Sequence, residues 1–254
     1  MYNFFKLSLL TLLLFPSLAT ANPNVLDYYN KIAKHSNILN HKIFYENGNY
    51  ITYAEAFYPD ERYENRTIVD KKNGYIFFED KGTTEAGGSS YEFVLFRDSE
   101  QLPYLGLVYN THDTFEPTLT SRITFFTKED QHWYRHPTLW DEISLSDFLP
   151  DNFTVKDIKF LNLELGATIY YKLPRKGLVG EAQLHFTYGL DEHICKKHSD
   201  ILMISKEAIN YFCKKINNNK KLMRIIKIKW VKDLAQFKVI GKSNKLPKMA
   251  IDLY

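Results

Sequence analysis

Apolar side chains follow two different periods along this chain. From Val25 to His35 they recur three and four positions apart, which predicts a short amphipathic helix. From about residue 41, apolar and polar positions alternate instead, and a period of two is typical of strands that bury one face. The pattern therefore predicts one short N-terminal helix followed by a long β-rich region.

Pairs of alternating segments, each separated by turn residues, predict antiparallel hairpins. Asn47-Gly48 and Asn73-Gly74 both stand between such segments, and an Asn-Gly pair readily adopts the positive φ angles of a tight hairpin turn. The fold class is therefore predicted to be α+β and β-dominated, with antiparallel hairpins or a meander. The predicted strand pairs are 43–45 with 50–53, 67–69 with 75–78, 91–97 with 104–109, 122–127 with 131–135, 167–173 with 182–188, and 223–232 with 236–240.

Two later segments break the alternation. Ser144–Leu149 has the pattern of one helical turn, and the interval 141–160 around it is where we predict a seam between sub-domains. Ser205–Ile216 predicts a helix with Ser205 as its cap. The chain is thus expected to end in a helix plus a hairpin, and residues 22–254 to form a single domain or two sub-domains.

The composition is that of a globular protein. Hydrophobic residues make up 44% of the chain and charged residues 25%, and there are 3 Trp, 18 Tyr and 18 Phe. So many aromatic residues with a net charge of only +3 exclude an intrinsically disordered chain. The same figures exclude a collagen, a disulfide-stapled mini-protein and a polytopic membrane protein.

The first 21 residues have the pattern of a cleaved export signal. Lys6 precedes the apolar run Leu7–Leu18, and small residues stand three positions and one position before the expected cut between Ala21 and Asn22. The alternative is a membrane anchor, which needs about 20 apolar residues and is longer than this run. We expect residues 1–21 to be removed, and a periplasmic or secreted protein without an integral membrane segment to remain.

Cys195 and Cys213 are the only cysteines. An even pair in an exported protein predicts a disulfide bond between them, and two buried thiols are the alternative. His193 and His198 flank Cys195, which leaves a soft-metal site as a further alternative. That site competes with the disulfide, because a bonded sulfur cannot also be a thiolate ligand.

Charge is distributed unevenly. Residues 196–254 carry 15 Lys+Arg and 4 Asp+Glu, a net charge of +11, whereas the preceding part of the chain has a net charge of −8. Lys227, Lys229 and Lys232 are candidates for a basic surface that binds an anionic envelope component or an acidic protein. No nucleic-acid partner is expected for an exported chain. The alternative is that these lysines protect an edge strand from aggregation.

Sequence motifs of several enzyme classes are missing. There is no glycine-rich nucleotide loop, no H-E-x-x-H and no C-x-x-C, and we predict no cofactor and no resident metal. The remaining candidates for chemistry are His112, Asp113, His132 and His136. His132 and His136 are four positions apart, so they share a face on a strand or a helix, and two imidazoles with one carboxylate are a common zinc ligand set.

Several segments resemble exported bacterial proteins of uncharacterised function. Asn73–Ile76, Tyr91–Arg97 and Leu105–Val108 carry part of this resemblance, and Tyr171–Gly177 and the closing hairpin Ile226–Ile240 carry the rest. The similarity covers about half of the chain and includes no catalytic signature. It implies export and a β-rich fold, and it implies no activity.

These observations favour a non-catalytic binding or interaction protein of the bacterial envelope. An inhibitor or immunity protein is one concrete form of this prediction, and the expected partner is another protein or an anionic envelope component. The alternative is a periplasmic hydrolase or metal-dependent enzyme that uses His112, Asp113, His132 and His136.

Overall fold

A computed structural model describes most of the chain after residue 22. The described residues are 23–33, 41–55, 62–80, 87–113, 119–129, 132–136, 139, 143–149, 153–163, 166–186, 206–207, 210–211, 213–214 and 223–245. The predicted leader 1–21 and Cys195 lie outside these ranges, as does the predicted cap Ser205. Within the predicted helix Ser205–Ile216, the described residues are helical.

Strands dominate the described part of the chain, which confirms the predicted fold class. The strands and helices are α1 (Val25–Ala33), β1 (Ile43–Glu46), β2 (Asn49–Glu55), β3 (Arg62–Asp70), β4 (Tyr75–Asp80), β5 (Gly87–Arg97), β6 (Pro103–Asp113), β7 (Leu119–Glu129), β8 (His132–His136), α2 (Val155–Leu163), β9 (Ala167–Lys172), β10 (Val179–Phe186), β11 (Ile225–Val231) and β12 (Gln236–Ser243).

The first eight strands form one antiparallel meander in chain order. The turn between β1 and β2 is a two-residue turn in which Asn47 has φ 49° and Gly48 has φ 83°, as the Asn-Gly pair predicts. The second Asn-Gly pair behaves differently. Asp70 pairs with Tyr75, so four residues form the turn, and there Gly74 has φ 67°.

The last four strands form a second antiparallel sheet in the order β12-β11-β10-β9. Along β11 the side chains alternate as the sequence predicts. Ile226 and Trp230 are fully buried, whereas Lys227 and Lys229 are exposed on the opposite face.

The larger sheet is the middle layer of three. Helix α1 covers one of its faces, where Val25, Tyr29 and Ile32 are buried against strands β4 to β7. The second sheet covers the other face, where Trp230 stacks on Phe96 with 5.1 Å between ring centroids. Burying an apolar side chain of this size contributes about 1.5–3 kcal/mol, so both interfaces hold the middle sheet in place.

The connection between the sheets includes the predicted seam at 141–160. It contains a short 3-10 helix, Leu145–Phe148, where the sequence predicts a helical turn, and then helix α2, which the alternation did not predict. The sheets on either side of this connection contribute to one hydrophobic cluster.

A glycine-containing segment forms part of a strand. Residues 82–90 have the composition of a loop, but those from Gly87 onward pair with β6 as part of β5. Among the described residues, no helix is long and apolar enough to cross a bilayer.

Candidate functional site

The candidate site is a cavity of about 330 Å³ beside α1, on the same face of the middle sheet. Its floor is apolar, because Leu107 and Phe126 belong to the buried cluster beneath α1. Polar and aromatic side chains stand around this floor. They are Tyr91, Tyr109, Arg122, Thr124 and Arg135.

Strand register brings these side chains together from distant parts of the sequence. Tyr91 on β5 pairs with Tyr109 on β6, and Tyr109 pairs with Arg122 on β7. Residues paired across an antiparallel sheet point to the same face, so these three side chains form one row. A further row parallel to it places Phe126 opposite Arg135 on β8.

Two arginines from neighbouring strands line the cavity on either side of Thr124 in the strand register. The Arg135 side chain leans across to β7, and its Nη2 lies 3.5 Å from the Thr124 hydroxyl. Arg122 precedes Thr124 by two residues on the same face of β7, a separation of roughly 6.6 Å along a strand. Two strands therefore each contribute one positive charge to the lining of the cavity.

Neither guanidinium has an acidic partner in the described part of the chain. No carboxylate oxygen there lies within 4.0 Å of Arg122 or Arg135, although ion pairs of that length occur elsewhere in the same structure. Both side chains are exposed, so an anion can reach their guanidinium groups from solvent. The electrostatics of the cavity therefore favour an anionic ligand.

The tyrosine side of the cavity supplies ring faces and neutral hydroxyl groups. The rings of Tyr91 and Tyr109 lie 4.8 Å apart between centroids. Burial, and after it the neighbouring Tyr109, raises the pKa of Tyr91 to about 12. The Tyr91 phenol is therefore protonated at neutral pH and can donate a hydrogen bond.

His41 packs against the ring of Tyr91. Its ring lies 5.1 Å from the ring of Tyr91 and 5.1 Å from that of Phe78. The Nε2 atom of His41 is 3.1 Å from an oxygen of Asp80, which fixes the orientation of the imidazole. The Tyr29 hydroxyl of α1 donates to the carbonyl of His41 and ties this wall to the helix.

The structure does not bring the histidines proposed from the sequence into one site. His132 and His136 share a face of β8, as the sequence predicts, but four residues of a strand span roughly 13 Å. Zinc holds its ligand atoms at about 2 Å, so two histidines this far apart along a strand are not a zinc pair. His112 and Asp113 end β6, where His112 pairs with Leu119, six residues along β7 from the partner of His136.

The lysine candidates lie on the second sheet, away from the cavity. Lys227 and Lys229 are exposed on one face of β11, and Lys232 is exposed in the turn that follows. Across the sheet, Lys227 pairs with Glu181 of β10, so a carboxylate stands beside part of this basic face.

The remaining sequence-based candidates fall at or beyond the edge of the described residues. Cys213 is buried in the cluster between the sheets, whereas Cys195 is outside the described ranges, so the disulfide stays a prediction. The cleavage site between Ala21 and Asn22 stays a prediction for the same reason.

Sequence reasoning missed both arginines of the cavity. Arg122, Thr124 and Phe126 alternate along β7, so they lie on one face of the strand. A charged residue on the same face as an apolar one is a sequence signal for a polar site beside the core. Arg135 stands inside the segment that was considered only for His132 and His136. Nothing local indicates that its side chain reaches another strand.

Comparisons with known proteins assign no family to this chain. No protein-family model matches it, and no curated protein matches it. Among solved structures, it is similar to a domain of an uncharacterised protein from Porphyromonas gingivalis W83, with 12% sequence identity, 79% of each chain covered and a TM-score of 0.44. A likeness at this level carries no argument about function.

Proposed function

We propose that this protein is an exported, non-catalytic binding protein that holds an anionic ligand in the cavity beside α1. One observation supports the proposal: Arg122 and Arg135 line one cavity with an apolar floor, and no carboxylate of the described residues pairs with them. Paired guanidinium groups are typical of sites that recognise carboxylates and phosphates.

The cavity groups suit binding better than bond breaking. Guanidinium, phenol and threonine hydroxyl groups can donate hydrogen bonds to an anion. Leucine and phenylalanine can contact the apolar part of a ligand. The alternative, a hydrolase built on His112, Asp113, His132 and His136, needs these groups in one place. The strand spacing along β8 speaks against that arrangement.

Export is part of the proposal and rests on the leader pattern of residues 1–21. In the envelope, the anionic ligand is a component of that compartment or an acidic group of a partner protein. An inhibitor or immunity protein would bind such an acidic group on its partner protein.

Binding of simple anionic probes tests this function. Isothermal titration of the mature chain with inorganic phosphate and with anilinonaphthalene sulfonate is expected to detect binding of at least one of them. Arg122→Ala and Arg135→Ala are each expected to weaken that binding at least about tenfold, because a hydrogen bond to a charged group contributes about 1.5–3 kcal/mol.

A matched control separates the cavity from general electrostatics. Lys176→Ala removes one exposed positive charge from the loop between β9 and β10 and is expected to leave the affinity unchanged. If neither probe binds, or if both arginine variants bind as the native protein does, the proposed function is wrong. If Lys227→Ala and Lys229→Ala lose binding instead, the anion binds to the basic face of β11 and not in the cavity.

A further inference from the structure

We propose that the ligand of the cavity is a small carboxylic acid with a single-ring aromatic body, and that it carries no ammonium group. Its carboxylate lies between Arg122 and Arg135, and its ring lies on Leu107 and Phe126. This inference rests on the proposed function and names the chemical class of the ligand.

The arginine pair favours a carboxylate as the anionic group. A guanidinium is a planar fork of donors that matches the two oxygens of a carboxylate, and here two such forks come from neighbouring strands. The Thr124 hydroxyl lines the same cavity and offers a further donor. A phosphate dianion also binds guanidinium groups, but it loses more hydration when it is placed against the apolar floor.

The apolar floor and the rings of Tyr91 and Tyr109 favour a ligand whose uncharged part is apolar and flat. Leu107 is 3% exposed and Phe126 is 5% exposed, so the floor presents the tops of side chains that are otherwise packed. Tyr91 and Tyr109 stand in the adjoining row with rings 4.8 Å apart. Aromatic rings pack with their centroids about 4.5–7 Å apart in stacked or edge-to-face geometry, and a ligand ring on this wall gains such contacts.

The volume of the cavity suits a small ligand. At about 330 Å³ it stands at the lower end of the range of about 300–1,000 Å³ found for small-molecule sites. A single aromatic ring with a short acid side chain fits within that space.

The positive charge of the cavity selects against amino acids. An α-amino acid carries an ammonium group next to its carboxylate, so binding the carboxylate between Arg122 and Arg135 brings a third positive charge close to two others. Like charges within a few ångströms repel, and solvent screens only part of that repulsion at two exposed arginines. The site therefore distinguishes an aryl-alkanoic acid from the corresponding amino acid.

Phenylpropionate and L-phenylalanine form the decisive pair of probes, because they share the ring and the carboxylate and differ in the ammonium group. Isothermal titration of the mature protein is expected to show phenylpropionate binding at least about tenfold more tightly than L-phenylalanine. Propionate, which lacks the ring, and phenylpropanol, which lacks the charge, are each expected to bind at least about tenfold more weakly than phenylpropionate.

Variants connect this selectivity to the named residues. Arg122→Ala and Arg135→Ala are expected to weaken phenylpropionate binding at least about tenfold, while Lys176→Ala leaves it unchanged. Thermal unfolding of each variant reports whether it is folded. If Arg122→Ala is not folded, Arg122→Gln replaces it, since glutamine retains part of the side-chain packing.

The outcomes separate this inference from the proposed function. If phosphate or anilinonaphthalene sulfonate binds through the arginines but phenylpropionate does not, the site binds anions and the inferred ligand class is wrong. Equal affinity for phenylpropionate and L-phenylalanine also overturns the inference. If no anionic probe binds, both the inference and the proposed function fail.

Discussion

Glu92 is the residue whose environment departs most from what its type suggests. It lies on β5 facing the second sheet, 5% exposed, and its Oε2 accepts a hydrogen bond of 2.9 Å from the backbone N–H of Leu173. Burial raises the pKa of this carboxyl to about 7, although the Leu173 hydrogen bond and the Lys172 charge act in the opposite direction. Glu92 thus links the middle sheet to the end of β9, and its charge state changes near neutral pH.

The sign of the resulting pH dependence follows from the raised pKa. The folded protein binds the Glu92 proton more tightly than the unfolded chain, where the carboxyl has its model value of 4.5. Its contribution to stability is fully present below that value and is lost as the pH rises towards about 7. His185 changes stability in the opposite direction. Burial lowers the pKa of its imidazole to about 4, so its contribution to stability is present above the ordinary pKa of 6.5 and is lost as the pH falls towards about 4.

Glu92→Gln is therefore expected to change how stability depends on pH. Glutamine keeps an oxygen that accepts from Leu173 but does not titrate, so the variant gains stability relative to the native protein between pH 5 and pH 8. A pKa difference of one unit corresponds to about 1.4 kcal/mol, which makes the expected gain on the order of 3 kcal/mol. Urea unfolding at both pH values measures it.

Comparing the two proteins at each pH cancels the opposite contribution of His185, which both contain. Glu100→Gln, in the exposed turn after β5, is the matched control and is expected to follow the native protein. If native protein and Glu92→Gln lose the same stability between pH 5 and pH 8, the carboxyl of Glu92 does not have a raised pKa.

At the scale of elements, Gly106 of β6 determines how closely the two sheets approach. A Cβ atom at this position would lie 3.0 Å from Leu173, 3.0 Å from Phe125 and 3.2 Å from Phe96. The missing side chain therefore makes room for Leu173, which directly follows β9 of the second sheet, against the middle sheet. In the sequence, a glycine inside a strand indicates only that something approaches closely, without saying what.

Gly106→Ala is expected to destabilise the protein by about 1–3 kcal/mol, because the methyl group overpacks the interface between the sheets. Gly241→Ala on the edge strand β12 is the matched control, since nothing lies within 4 Å of a Cβ atom there. It is expected to stay within about 0.5 kcal/mol of the native protein. Denaturant unfolding compares the two, and an equal effect on both variants would contradict the close approach at Gly106.

Helix α2 shows which local signals were available and which were not. Its interval lacks a clear helical period, so the pattern of apolar residues did not predict it. The cap was readable, however. The backbone N–H of Thr154 donates to the Asp157 carboxylate at 2.7 Å, and the Thr154 hydroxyl accepts from the Asp157 N–H. A threonine followed three residues later by an acidic residue is a sequence-level sign of a helix start.

At the scale of the whole molecule, the layers explain why the candidate site lies where it does. The second sheet covers one face of the middle sheet, and α1 contacts the other face over β4 to β7. The cavity lies on the face that carries α1, and its floor continues the cluster beneath the helix. The second sheet leaves this face uncovered, which makes the cavity accessible.

Export and the disulfide are tested together on the mature protein. We expect the exported chain to begin at Asn22 and Cys195 to be bonded to Cys213, which closes a loop worth on the order of 3 kcal/mol in the chain-entropy model. Mass spectrometry after alkylation of the unfolded protein is expected to find both cysteines unmodified without reductant and both alkylated after reduction. A cytosolic chain that starts at Met1 with two alkylated cysteines before reduction would contradict both expectations.

The sequence by itself determined the features that depend on neighbouring residues. The period of two predicted the strands, the φ angles open to Asn47 and Gly48 predicted a tight turn, and alternation along β11 separated Ile226 and Trp230 from the lysines. These features follow from backbone sterics and from the side on which each side chain points, and both are set within a few residues.

Only the tertiary structure decided the cavity and the pKa of Glu92. The row Tyr91, Tyr109, Arg122 exists because three strands pair in one register, and Arg135 enters the same cavity because β8 pairs with β7 and its side chain reaches Thr124. Glu92 has a raised pKa because the second sheet removes it from water. Register between strands and burial between layers depend on contacts far apart in the chain, and local periodicity carries no information about them.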